Sequence, residues 1–333
     1  MREIRFGVIG TGKITGQMIE GARLHSGIRL TAVCSRTKER ARAFAEDMQE
    51  PYVLLFDSLE EMAKSDGVDL IYIASPNACH MEQAELCLRH GKHVLCEKPL
   101  SADPERLMRV QALAREKGLL FREAIMMLYQ PQREILRRAV ESCGQISSAH
   151  FDFCQLSSKY EEYLMGETPN IFNPALHTGA MMDLGVYCVY PAIDLFGIPE
   201  SITASATFLR TGADGAGAAM LKYPDKTVTL TYSKTGQAFY PSAIVGDKGT
   251  VTIRNAVRLE DIRLYRVGEP ETVLCEPEPK IVLMGREIAA AADDICKGNV
   301  LDSEKDRLAL EVSRCMAAIR RSAGIRFPGL DEE

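Results

Sequence analysis

Ile4-Arg5-Phe6-Gly7-Val8-Ile9-Gly10-Thr11-Gly12-Lys13-Ile14-Thr15-Gly16 is an apolar run of strand length followed at once by a glycine-rich turn. Gly10 and Gly12 fit the first two positions of the Gly-x-Gly-x-x-Gly pattern, where a tight turn and close approach of backbone to a pyrophosphate exclude a side chain. The third position holds Thr15, so helix–strand packing there must accept a branched residue; Gly16 follows. Ile14, Met18, Ile19 and Ala22 then recur at helical spacing. A helix starting here offers free amides and its positive dipole end to a phosphate. Glycines at such a turn can serve packing alone, but strand, turn, helix and strand in succession favour a dinucleotide site.

The second strand, Arg29–Cys34, ends in Ser35-Arg36-Thr37. A site for NAD would place Asp or Glu here to hold the ribose 2′-hydroxyl. This chain has Ser35 and Arg36, with Arg40 one helical turn later, and a guanidinium pairs bidentately with a phosphate. The reading is a preference for NADP(H), with NAD(H) possible. The alternative is an Arg36 that stacks on adenine or faces solvent.

Residues 94–100, Val-Leu-Cys-Glu-Lys-Pro-Leu, end another strand. A residue before proline is pushed out of the helical region, so the strand stops and turns at Lys98-Pro99. That leaves an ammonium at the carboxyl end of a strand, the edge of an open α/β sheet where ligands bind.

Composition fits a large enzyme without a membrane or nucleic-acid role. The 333 residues suffice for two domains with real cores, and the formal net charge of −6 comes with no basic run. No signal-like or membrane-length apolar segment is visible, which argues for the cytoplasm. The ten cysteines include no Cys-x-x-Cys pair, so they read as reduced thiols rather than disulfides, and no metal site is apparent.

The rhythm changes in mid-chain. Strands near 4–9, 29–34, 69–75, 93–97 and 119–123 alternate with helices near 13–24, 37–48, 78–90 and 103–117, which predicts a parallel doubly wound Rossmann domain over 1–123. Beyond it, Ser148–Leu156, Ser201–Leu209, Ala216–Tyr223, Thr227–Tyr232, Ile244–Asp247, Gly249–Arg254 and Ile262–Arg266 alternate with period two. This predicts an α+β domain over 124–333 with a large, mostly antiparallel open-faced sheet, covered on one face by helices near 178–196, 283–298 and 305–323.

In the first of those helices, Thr178–Phe196, Gly179, Asp183 and Tyr187 are spaced by four and share a face, while Met182, Val186, Val189 and Ile193 form another. A face of glycine, carboxylate and phenol suits a polar cleft; the alternative is a hydrated face with a structural Asp–Tyr pair.

Gly10-x-Gly12, Ser75-Pro76-Asn77-x-x-His80, Glu97-Lys98-Pro99, Glu123-Ala124, Gly179-Ala-Met-Met-Asp183-Leu-Gly185-Val-Tyr187 and the late turn Val245-Gly246-Asp247-Lys248-Gly249-Thr250 stand in order along the chain. Together they resemble the glucose–fructose oxidoreductase / inositol dehydrogenase / rhizopine catabolism (Gfo/Idh/MocA) family over nearly the whole chain, most of all its dihydrodiol and sugar dehydrogenase branch. The resemblance implies that Gly10, Thr11, Gly12, Lys13 and Ile14 hold the pyrophosphate, and Ser35, Arg36 and Arg40 the adenosine end. It implies that Ser75, Pro76, Asn77 and His80 line the ribose and nicotinamide region, bordered by Glu97 and Lys98, with Glu123 and Ala124 near the cofactor. Lys98 and Tyr187 become the catalytic candidates, and Asp183 the residue that orients substrate. Many relatives have His where this chain has Tyr187. Several have a glycine run where this chain has His177-Thr178-Gly179, so His177 can intrude on the substrate pocket. The resemblance also implies a homodimer or homotetramer assembled through the second domain's sheet.

The chemistry implied is hydride transfer between nicotinamide and a hydroxyl- or carbonyl-bearing carbon of a small-molecule sugar, polyol or cyclic diol, with Lys98 stabilising charge on the oxygen. Two other readings stay open: an enzyme in which hydride transfer is transient and the cofactor is retained, as in epimerising or glycoside-cleaving relatives, and a non-catalytic NAD(P)-sensing regulator.

Overall fold

Strand β1 (Ile4–Ile9) is buried at every position but Arg5, as a strand covered on both faces must be. It is central to a six-stranded parallel sheet in a computed structural model that describes Arg2–Asp331. After β1 the chain runs through α1 (Lys13–Ala22), β2 (Ile28–Cys34), α2 (Lys38–Asp47), β3 (Leu54–Phe56), α3 (Leu59–Lys64) and β4 (Leu70–Ile73). It continues through α4 (His80–Arg89), β5 (His93–Glu97), α5 (Pro104–Lys117) and β6 (Phe121–Ala124). The strand order β3-β2-β1-β4-β5-β6 places the topological switch between β1 and β4, with Ile9 beside Ile73. A ligand crevice belongs beyond the carboxyl ends of those two strands.

The sequence predicts five strands in this sheet; β3 and α3 are additional. β3 has only three residues, none of them buried, so it carries no apolar stripe to read.

The second sheet has eight strands. In chain order they are β7 (Ile146–Cys154), β8 (Ser201–Phe208), β9 (Asp214–Lys222), β10 (Thr227–Ser233), β11 (Ser242–Gly246), β12 (Gly249–Asn255), β13 (Glu260–Tyr265) and β14 (Thr272–Val273). The spatial order is β14-β13-β12-β11-β7-β10-β9-β8, antiparallel throughout except that β7 and β10 run parallel. Before β7 come α6 (Gln132–Ser142), then after it α7 (Tyr160–Leu164) and α8 (Val186–Phe196), entered through a π-helical turn over Met181–Gly185. Val228, Leu230 and Tyr232 of β10 and Ala149 and Phe151 of β7 are buried under α8. The opposite face carries Thr229 and Thr231 of β10 and Ser148, His150 and Asp152 of β7, so inward and outward residues alternate as the sequence predicts.

Two helices close the chain, α9 (Lys280–Lys297) and α10 (Ser303–Ala323). The chain divides into one unit of 1–129 with 279–309 and another of 130–278 with 310–333. A division at 123/124 puts α9 over the second sheet; instead α9 packs on α1. Gly21 and Gly285 meet at that crossing, where a Cβ on Gly21 would lie 2.6 Å from the Gly285 nitrogen. Two glycines far apart in sequence let the helix backbones touch, which no local pattern announces. Arg122 of β6, 3% exposed, ties the start of α10 to the same unit through Asp306 at 3.0 Å.

Candidate active site

The turn after β1 is shaped by what its residues lack. Gly10 has φ +96°, and a Cβ there would lie 2.5 Å from the Ala74 carbonyl oxygen at the end of β4. Its glycine is therefore required by the approach of two neighbouring strand ends. Gly12 differs: its φ is −88° and a Cβ there would meet nothing within 4 Å. The fold does not need that glycine, so the space in front of it is left for something else. α1 begins at this point with no side-chain cap and no acidic residue in its first turn. Lys13 is exposed, and Thr11 and Ile14 are half-buried. Bare amides, an uncancelled dipole and a lysine fit a pyrophosphate. Thr15 is fully buried and its hydroxyl has no hydrogen-bond partner.

At the end of β2, Ser35 is half-buried while Arg36 and Arg40 are exposed and make no ion pair among the described residues. Thr37 caps α2 by accepting a hydrogen bond from the Arg40 amide. No carboxylate follows β2 until Glu39, which is exposed.

The turn carrying Lys98 is built in the opposite way, from buried polar side chains. The Lys98–Pro99 peptide is cis. Glu97, at the entry, accepts hydrogen bonds from the Tyr72 hydroxyl and, at 3.2 Å, from the Lys98 amide. His80 is fully buried with Nδ1 3.0 Å from the Pro99 oxygen and Nε2 2.9 Å from the Ser75 oxygen. Glu123, at the exit, accepts from the Leu100 amide at 3.1 Å, and its own carbonyl accepts from the Tyr129 hydroxyl at 2.9 Å. Lys98 itself is half-buried.

Three of the residues expected to line a cofactor, His80, Glu97 and Glu123, also brace the lysine turn. His80, Glu97, Glu123 and Ala124 are all buried, and the Ser75 hydroxyl bonds to Gln83 at 2.7 Å. Pro76 and Asn77 open the short 3-10 turn before α4. Burial holds the imidazole of His80 below its usual range. It pushes the Glu97 carboxyl up against the pull of the Lys98 ammonium. A third buried carboxyl, Glu287 of α9, is raised well above the carboxylate range by burial and by Glu97, and one of its oxygens has no partner. Glu287 was legible: it shares the apolar stripe of Leu283 and Ala291.

Asp183 and Tyr187 belong to the second unit. The sequence predicts Gly179 on their helix face; the structure places it ahead of the helix with φ +148°. A Cβ on Gly179 would lie 2.0 Å from an Asp214 carboxylate oxygen, so the room glycine provides is filled by that buried side chain. Asp214 accepts from the Met181 amide at 2.6 Å, capping the π-helical turn from a distant strand. Burial pushes its carboxyl up to about 6. Asp183 lies within the π-helical turn and is ion-paired with the Lys234 ammonium. Tyr187, one turn on in α8, packs its ring edge-on against Phe153 at 5.5 Å. His177 has φ +54° and stacks on Phe327 at 5.1 Å, so one face of its ring is covered within the unit. Tyr163 and Phe172 are buried and in contact at 5.5 Å, with the Arg210 guanidinium 4.4 Å above the Tyr163 ring. These aromatics form the core of their own loop.

Lys234 and Asp214 are absent from the sequence reading. For Lys234 a signal existed: it continues the inward phase of Val228, Leu230 and Tyr232. For Asp214 there was none, since a strand register shift separates it from its neighbours' alternation. All ten cysteines are free thiols. Among the described residues no group of three or more His, Cys, Asp or Glu could hold a metal ion, and no helix is long and apolar enough to cross a membrane.

Two family models match successive stretches of the chain. Residues 4–124 match the model of an oxidoreductase family with an NAD-binding Rossmann fold, and residues 135–252 match the GFO/IDH/MocA C-terminal domain. The chain is 37% identical to the uncharacterized oxidoreductase YgjR of Escherichia coli K12, with 98% of each chain covered. It is 36% identical to the scyllo-inositol 2-dehydrogenase (NADP(+)) IolU of Bacillus subtilis 168, again with 98% of each covered. Among solved structures, the 3-ketoreductase KijD10 of Actinomadura kijaniata, crystallised with NADP and TDP-benzene, has a TM-score of 0.85 at 24% identity. That alignment covers 97% of this chain and 98% of the other and shows the shared fold. An open glycine turn at the switch point, a lysine braced beyond β5 and these similarities over nearly full length have one meaning: the chain belongs to the GFO/IDH/MocA family of NAD(P)-binding oxidoreductases.

Proposed function

We propose that this chain oxidises a CH–OH group of a neutral polyol or cyclic diol, or reduces the corresponding ketone, using NADP(H) in preference to NAD(H). The observation that carries the reading is the turn Glu97–Leu100, where buried polar groups hold Lys98 at the carboxyl edge of the sheet whose switch point bears the bare amides of α1. The pyrophosphate falls to Gly10, Thr11, Gly12, Lys13 and Ile14. Arg36 and Arg40 supply charge for a 2′-phosphate, and the absence of a carboxylate directly after β2 removes the usual repulsion against it. Ser75, Pro76 and Asn77 border the nicotinamide ribose.

Held by these residues, the nicotinamide would supply the hydride chemistry. Lys98 donates hydrogen bonds to the reacting oxygen and stabilises negative charge as it develops. Tyr187 exchanges the hydroxyl proton; a phenol with a reference pKa near ~10 does so at neutral pH when a cation lowers it. Asp183 accepts from a neighbouring substrate hydroxyl and sets the ring's orientation.

Similarity to an inositol dehydrogenase supports the polyol class. The free thiols support a reducing, cytoplasmic setting. The outward face of the second sheet, with Met220 48% exposed, Val245 38% and Tyr265 37%, supports a homodimer or homotetramer through that sheet, checked by light scattering in solution.

The test is a 340 nm screen of inositols, cyclic trans-diols and keto sugars with each coenzyme, repeated after tightly bound nucleotide is stripped. Oxidation of scyllo-inositol or a related polyol, with a lower KM for NADP+ than for NAD+, is the expected result. No absorbance change with any compound, or equal use of NAD+, contradicts the reading.

A further inference from the structure

Lys234 and Asp183 form an ion pair that joins a buried lysine to a partly exposed carboxylate. The Lys234 side chain is only 7% exposed, whereas Asp183 keeps 27% of its side chain exposed. An ammonium that is taken out of water needs a partner of opposite charge, because its desolvation costs several kcal/mol otherwise. Asp183 is that partner. The lysine sits just beyond β10 and is anchored by its backbone, donating from its amide to Gly215 at 2.8 Å and accepting from Ser157 at 2.9 Å. It therefore approaches Asp183 from the protein interior and leaves the exposed edge of the carboxylate outward.

The surroundings add charge of both signs. Asp214, fully buried at the start of β9, feels both the Lys234 ammonium and the Arg320 guanidinium of α10. Tyr232, one inward position before Lys234 on β10, has a buried hydroxyl without a partner and feels Asp214. The Arg320 guanidinium is already ion-paired with Asp331 at 2.9 Å, so the cation left to face Asp183 in this cluster is Lys234, in direct contact with it.

We propose that Lys234 is a positioning residue: it holds the Asp183 carboxylate toward the substrate and cancels its charge, so that the site selects neutral polyhydroxylated rings and rejects ammonium-bearing ones. The inference rests on the reading of Asp183 as the substrate-orienting residue. A carboxylate already neutralised from behind accepts a hydroxyl's hydrogen bond but offers little net attraction to a substrate cation. Without Lys234 the same carboxylate loses the ammonium that neutralises it and presents its negative charge to the substrate.

The experiment uses the full-length enzyme with NADP+ and two probes, scyllo-inositol and its monoamino analogue scyllo-inosamine. Lys234→Met is expected to raise KM for scyllo-inositol by about tenfold or more with kcat within about threefold. The preference for scyllo-inositol over the amine should shrink by a similar factor. Lys234→Gln, which keeps a donor and removes the charge, should show the same loss of preference, and covers the case in which the Met variant does not fold. In an Asp183→Asn background, Lys234→Gln should change neither KM nor preference further, because it acts through Asp183. NADPH affinity, read by fluorescence, should be unchanged in all variants. An unaltered KM and preference, or a full additive effect in the Asp183→Asn background, overturns the positioning role while leaving the oxidoreductase reading intact. A parent enzyme that binds NADPH but oxidises neither probe nor any polyol of the screen overturns the reading of the site, and this inference with it.

Discussion

The turn after β1 and the turn after β5 end neighbouring regions of one parallel sheet, yet they are made by opposite means. At Gly10–Gly12 the backbone is stripped of side chains, so that amides and dipole remain available. At Glu97–Leu100 the backbone is filled in: Glu97, His80 and Glu123 each spend a buried polar group on it. The contrast follows from the two tasks. A phosphate needs many weak donors at close range, which side chains obstruct. A single ammonium that must meet one reacting atom needs a rigid base, which side chains provide.

This contrast is most exposed at Lys98. Lys98→Met should lower kcat by about 10³-fold or more, the scale of a lost charge stabiliser, measured at 340 nm with saturating coenzyme. Residual turnover within tenfold of the parent would show that the braced turn serves packing alone. Next in size is Gly10→Ala, which forces a positive φ on alanine and a Cβ against the Ala74 carbonyl. A loss of about 3 kcal/mol or more in urea unfolding is expected, from strain together with a backbone clash. An unchanged unfolding midpoint would mean that the two strand ends separate easily.

The Gly179–Asp214 contact combines both devices, a missing Cβ filled by a buried carboxylate. Burial lifts the Asp214 carboxyl from 3.8 to about 6, so the folded state binds this proton more tightly than the unfolded state. Stability from this group is therefore full below about pH 4 and falls as pH rises to about 6. Asp214→Asn should flatten that interval of the stability–pH curve, by at most about 3 kcal/mol, in urea titrations at pH 4, 5, 6 and 7. A parent and variant with parallel curves would refute it. Smallest is the adenosine end: Arg36→Ala should reduce selectivity for NADP+ over NAD+ by about 10- to 100-fold in kcat/KM, the worth of one charge-assisted contact. Selectivity that does not move would leave Arg36 facing solvent.

The same contrast decides what could be read from the chain. Gly10, Gly12, Lys98, Asp183 and Tyr187 stand in local patterns, since a strand followed by glycines or by Lys-Pro dictates its own geometry. The braces are different. His80 reads as a ligand-lining residue, but its two ring nitrogens meet carbonyls that only the folded sheet brings close. Gly21 and Gly285 find each other across 264 positions, so the return of α9 to the first unit lies beyond any local period. Gly179 is visible as a glycine, but its reason is Asp214, and a carboxylate at a strand start looks like any surface residue until its burial is seen. Local chemistry is written in order along the sequence; the groups that hold it still come from elsewhere.

The claim that binding and chemistry are divided between the two turns is tested most directly by titrating NADPH, followed by its fluorescence, into Gly12→Ala and Lys98→Met side by side. Gly12→Ala should melt like the parent, because its Cβ meets nothing within 4 Å, yet bind NADPH at least about tenfold more weakly. Lys98→Met should bind NADPH as the parent does. Normal binding by Gly12→Ala together with lost binding by Lys98→Met would contradict the account.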